Sequence, residues 1–102
     1  MIVVHSEVPV DPESIDDART LLQDIAARSR AEEGVLSYHV TRDIEDPDTF
    51  RIVERYEDRA ANEAHESSAH VQQFQAEMEP YLATDAELTV FEVTDSWTAA
   101  GP

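Results

Sequence analysis

The sequence predicts an α+β protein with the ferredoxin-like strand and helix order β-α-β-β-α-β. Three observations carry this reading. Four short stretches rich in β-branched or alternating apolar residues are spread along 102 residues. Between them lie two longer segments whose apolar residues recur at helical spacing. Where two strands follow each other directly, Asp46, Pro47 and Asp48 supply the composition of a turn. A chain of this length holds one domain and one core. That domain is expected over residues 2–93, with residues 94–102 as a C-terminal tail.

Ile2 to Val8 is short, apolar and β-branched, and reads as the first strand. Asp11, Pro12 and Glu13 form a helix start: an acid to cap, a proline for the first helical position and a carboxylate at the positive end of the dipole. Ile15, Ala18, Leu22, Ile25 and Ala26 then make one apolar face. Arg28 and Arg30 sit at the C-terminal end, and Gly34 is expected to end the helix as a left-handed cap.

Val35 to Asp43 and Phe50 to Glu57 are the second and third strands, joined as a hairpin. Asp58 caps a second helical region running to about Leu82. Ser67 or Ser68 is a natural place for a break and a new cap, because serine competes for backbone hydrogen bonds. Beyond it, Val71, Phe74, Met78 and Leu82 form a stripe, and Pro80 marks the end. Leu88 to Val93 is the fourth strand. Ile52 and Tyr56 alternate with Val53, and Leu88 and Val90 alternate with Phe91 and Val93. Both faces of the sheet therefore carry apolar side chains, although helices cover only one. The open face is expected to be buried in a homodimer.

The net charge is −16, from 23 acidic and seven basic residues, all seven of them arginine. The acids are spread along the chain, as in a halophile's protein whose carboxylates stay solvated in concentrated salt. Such a field repels phosphate backbones, so nucleic acid is not an expected partner. No cysteine is present, which excludes disulfides, thiolate metal sites and a cysteine nucleophile. No stretch is long enough to span a membrane, and Met1 to His5 lacks the features of a signal peptide. The expectation is a cytoplasmic protein without a membrane partner.

His65, Glu66, Ser67, Ser68, Ala69 and His70 nearly spell the zinc motif H-E-x-x-H, with one residue too many. Five residues advance a continuous helix by about 500°, which sets the two imidazoles roughly 140° apart. They cannot chelate one ion from such a helix, and no metal is expected. A helix break instead presents His65 or His70 to a pocket above the sheet, where histidine can act as a base. His5 and His39, on strands, read as structural. Tyr56 and Phe74 suit the core, or the aromatic wall of a ligand pocket. Glu54 is unusual for a core strand. It pairs with an arginine, bonds a helix end, or faces the pocket. No nucleophile elbow accompanies the serines.

Several segments in order resemble the antibiotic biosynthesis monooxygenase family: Glu33, Gly34 and Tyr38; Asp46 and Pro47; Phe50 through Glu54 to Tyr56; and Ala64, His65, Ser68, His70 and Phe74. The resemblance covers about residues 2–93. It implies a dimeric α+β barrel, in which two ferredoxin-like sheets pack face to face, with a pocket between helices and sheet in each subunit. It implies a cofactor-independent oxygenase, in which a base makes the anion of a quinol or phenolic aromatic and that anion reduces O2 without flavin or metal. His65 is then the base or proton shuttle. His70, Tyr56 and Glu54 position the substrate, and Phe74 is a wall.

Haem-degrading relatives use a strand-one asparagine, a strand-three tryptophan and a histidine near the end of the pocket helix. Here those places hold Ser6, Tyr56 and a residue near Gln75, which disfavours haem degradation. The family also contains isomerase-like and non-catalytic members. The alternative reading is therefore a dimeric small-molecule-binding or stress-related protein of the same fold.

Overall fold

A computed structural model describes all residues from Met1 to Pro102. The elements run β1 (Ile2–Pro9), α1 (Ile15–Arg30), β2 (Val35–Arg42), β3 (Thr49–Tyr56), α2 (Arg59–Glu66), α3 (Ala69–Met78) and β4 (Glu87–Glu92). They form one antiparallel sheet in the order β2-β3-β1-β4. This is the ferredoxin-like arrangement: each helical connection steps over one strand, and β3 is inserted between β1 and β2.

The even-numbered residues of β1 face the helices. Val4 is fully buried, and Ile2, Ser6 and Val8 nearly so. On β3 the inward set is Phe50, Ile52, Glu54 and Tyr56. Against these, α1 lays Ala18, Leu22, Ile25 and Ala26, and α3 adds Val71 and Met78. The larger of these, Leu22, Ile25, Val71 and Met78, each contribute about 1.5–3 kcal/mol by leaving water. The opposite face carries no helix. There the register places Val3, His5, Val53 and Phe91 together, and the His5 and Phe91 rings meet edge-on at 5.3 Å. Leu88 and Val90 pair with Ser6 and Val4, so they share the helix-side face. Both remain about half exposed, because β4 lies at the sheet edge. Trp97 lies in the tail and is 83% exposed.

Two local expectations are corrected. Asp11 makes no side-chain cap. Pro12–Ser14 forms a 3-10 turn, closed by the Ser14 N–H donating to the Asp11 carbonyl, and α1 begins only at Ile15. The helix ends at Arg30, with Ala31 at its C-cap, so Gly34 is not that cap. It belongs instead to the turn entering β2, where its φ of 86° suits glycine. The hairpin turn falls at Asp46 to Asp48 as expected, closed by the Thr49 N–H donating to the Asp46 carbonyl at 2.9 Å, and Asp43 ties it from the preceding residues. Its carboxylate accepts the N–H of Glu45 and of Asp46 and the Nε–H of Arg51. These bonds, the Glu45 one foremost, hold Asp43 below the usual carboxylate range.

Gly34 also fixes where α2 sits. A Cβ there would lie 2.6 Å from the Ala61 Cβ, and its carbonyl accepts the Glu57 N–H at 2.9 Å. Gly34→Ala combines a left-handed backbone cost of about 1–2 kcal/mol with displacement of the helix that carries His65. We expect a Tm lower by at least about 4–8 °C in thermal unfolding, the shift that 1 kcal/mol produces in a domain of this size.

Candidate active site

The second helical region divides where serine was expected to divide it. Asp58 caps α2 by accepting the Ala61 N–H at 2.8 Å, and α2 stops at Glu66. Ser68 has extended backbone and caps α3 by accepting the Val71 N–H. Its hydroxyl also donates to the His65 carbonyl at 2.6 Å. The break turns the last residues of α2 toward the sheet, and His65 becomes 3% exposed.

His65 lies between the Tyr38 and Tyr56 rings, at centroid distances of 5.6 and 5.4 Å. Its Nδ1 lies 2.6 Å from Oε2 of Glu32, and its Nε2 lies 3.7 Å from Oε1 of Glu54. The short contact is that of an Nδ1–H donating to a carboxylate, which leaves the Nε2 lone pair free. Glu54 is 2% exposed on β3. It accepts the Tyr56 hydroxyl at 2.5 Å and the Ser6 hydroxyl at 3.3 Å. Burial is the main cause that pushes the Glu54 carboxyl above the ordinary range. The hydrogen bond from Tyr56 and the neighbouring His65 oppose it. Burial, reinforced by the Glu54 charge, also raises both tyrosine hydroxyls, so each stays protonated.

This cluster forms the polar end of a cavity of about 240 Å³ between the sheet and α1 and α3. Ten of its 15 lining residues are apolar, so a bound molecule contacts mostly hydrocarbon and aromatic surface. The polar ones are Ser6, Glu54, His65, Glu66 and Gln75. The volume falls just under the roughly 300 Å³ at which pockets for drug-sized ligands begin, so it suits a small molecule. The exposed Leu88 of β4 lies at its rim.

Among the residues named from sequence, His65, Glu54 and Phe74 line this cavity. Tyr56 does not: it is fully buried behind Glu54 and reaches the cavity only through that carboxylate. His70 is also outside, beside a separate small cleft with Asp24, Arg28 and Gln73. The break rotates α3 so that Val71 and Phe74, not His70, point inward. Glu32 was not anticipated. It follows α1 by two residues in an irregular turn, where spacing gives no face, and only the packing of α2 brings it to His65. Tyr56→Phe removes a donor that lowers the Glu54 pKa and leaves one carboxylate oxygen poorly bonded. We expect a loss of about 1–2 kcal/mol in chemical denaturation and a further rise of the Glu54 pKa by carboxylate NMR.

Over residues 1–77 the chain matches the family described as "Antibiotic biosynthesis monooxygenase". It is 30% identical over 95 residues, and over the full length of the relative, to "Putative monooxygenase YcnE" of Bacillus subtilis. Among solved structures, a "putative antibiotic biosynthesis monooxygenase" from Deinococcus radiodurans superposes with a TM-score of 0.93 at 27% identity, covering 99% of this chain and 100% of that one. Rv0793 from Mycobacterium tuberculosis superposes with a TM-score of 0.88 at 25% identity, covering 95% and 98%.

Proposed function

The chain belongs to the antibiotic biosynthesis monooxygenase family, and from that premise we propose a cofactor-independent monooxygenase that oxidises a quinol or similar phenolic aromatic with O2. The observation that carries this is the buried His65, which lines the mostly apolar cavity while its Nδ1 is held by Glu32 and its Nε2 lies 3.7 Å from Glu54. A carboxylate on one ring nitrogen keeps the other basic and aimed.

In this mechanism Nε2 takes the proton of a substrate hydroxyl. The resulting anion is electron-rich enough to reduce O2 directly, and a carbon–oxygen bond forms at a ring carbon. The O–O bond then breaks, and the outer oxygen leaves as water. For a quinol with a free ring carbon, the sum is quinol plus O2 to hydroxyquinone plus water. The substrate gives four electrons: two in becoming a quinone and two in becoming hydroxylated. Glu54, kept toward its neutral form by burial, is the proton source nearest His65 for the departing oxygen. Phe74 and Tyr38 supply flat aromatic surface beside the base.

We propose that the working unit is a homodimer through the open sheet face. In support, Phe91 and Val53 are 45% and 37% exposed there. Val53→Asp is expected to convert a dimer to a monomer in size-exclusion chromatography with light scattering, because it would bury an unpaired charge.

The test of the activity is oxygen consumption with menadiol and a panel of hydroquinones, on metal-free protein. Concentrated salt should be used, because a net charge of −16 is self-repelling at low ionic strength. Uptake well above autoxidation supports the oxygenase. No uptake by folded protein across the panel, with ligands still bound, would replace it with a binding role.

A further inference from the structure

On a continuous helix His65 and His70 would point roughly 140° apart. The break at Ser67 and Ser68 changes that relation, and the two rings stand with centroids 6.4 Å apart. One carboxylate spans them. Glu32 Oε2 is 2.6 Å from His65 Nδ1, and Glu32 Oε1 is 3.4 Å from His70 Nε2. That His70 nitrogen is buried and has no hydrogen-bond partner. The ligating atoms of all three residues lie within 4.8 Å of one another. Around an ion with bonds of about 2.1 Å, tetrahedral donors stand roughly 3.4 Å apart, so small side-chain rotations close the set. Two imidazoles and one carboxylate match a known three-ligand zinc donor set that leaves a further position for water. Imidazole favours zinc, copper, nickel or iron over magnesium and calcium, which prefer oxygen ligands.

We propose that Glu32, His65 and His70 form a binding site for a divalent transition-metal ion of the zinc class. A neutral imidazole metallated at Nδ1 carries its remaining proton on Nε2. Nε2 of His65, the atom assigned above as the base, thereby changes from acceptor to donor. Metal binding and proton abstraction by His65 exclude each other, and the ion acts as an inhibitor, not a cofactor. This consequence rests on the base role proposed above; the binding itself does not.

The probe is Co2+, followed by its visible absorption, with Zn2+ as competitor, on the full chain in concentrated sodium chloride to screen the surface carboxylates. The expected result is one Co2+ per chain, displaced by Zn2+, with affinity more than about tenfold weaker in His70→Ala and Glu32→Gln, since loss of a direct ligand exceeds the usual second-sphere cost. In wild-type protein, Zn2+ should also move the imidazole nitrogen NMR signals of His65 and His70 but not those of His5 and His39. That measurement stands even if a variant misfolds. Absence of stoichiometric binding, unmoved His65 and His70 signals, or binding that neither variant weakens would overturn the site. Stoichiometric zinc with undiminished oxygen uptake would keep the site and overturn the base role of His65.

Discussion

Replacing His65 with alanine is expected to lower enzyme-dependent oxygen uptake by about 10²–10⁴-fold, the usual contribution of a positioned general base. The expectation follows from geometry: His65 lines the cavity, its Nδ1 is held by Glu32, and Nε2 is the ring nitrogen left as an acceptor. Glu32→Gln should fall part of the way, because the ring remains but its tautomer is no longer enforced. The alanine variant also leaves Glu32 and Glu54 without their shared imidazole, at a cost of about 1–3 kcal/mol. Circular dichroism at the assay temperature therefore accompanies the rate measurement. A folded His65→Ala protein with wild-type uptake would remove His65 from the chemistry altogether.

Glu54→Gln is expected to raise stability and lower turnover together. The wild-type protein holds a carboxyl at 2% exposure, and burial raises its pKa. The sign follows from proton counting. Above the unfolded value of 4.5, the folded chain keeps the Glu54 proton while the unfolded chain has released it. Stability from this group therefore falls as pH rises from 4.5 toward the folded pKa, and the penalty is complete above it. Glutamine occupies nearly the same volume. Its oxygen accepts the Tyr56 hydroxyl, and its NH₂ group donates to Ser6. We expect about 0.5–2 kcal/mol of added stability at neutral pH, in the range typical when a functional strain is removed. The gain over wild type should shrink as pH is lowered. Loss of the proton source should cost on the order of 10²-fold in turnover. A Glu54→Gln protein that is less stable than wild type at neutral pH would mean that Glu54 is held as a well-satisfied carboxylate.

The fold was legible because its signals are local. Apolar β-branched residues in Ile2–Pro9, alternation in Thr49–Tyr56, helical spacing in Ile15–Arg30, and serine at the break each act over a few residues. Element ends were less legible. Asp11 had the composition of a cap, yet a 3-10 turn placed the α-helix start at Ile15. Gly34 was recognised as left-handed, as its φ of 86° bears out, but it serves the turn into β2 and not the end of α1, and the close approach of Ala61, 27 residues away in sequence (61 − 34), was not legible. At the site, His65, Glu54 and Phe74 were named from type and order. Their meeting in one cavity depends on which way two short helices face after the break.

By itself, then, the sequence determined the strand and helix order, the one-sided helical cover of the sheet and the serine break, because hydrophobic period and capping chemistry are written along the chain. Only the tertiary structure decided that Glu32 holds His65, that Tyr56 acts from behind Glu54, and that His70 stands outside the cavity yet beside the same carboxylate. Those relations join residues far apart in sequence. They are set by the packing of α2 and α3 on the sheet, and small changes in helix rotation would pair different side chains.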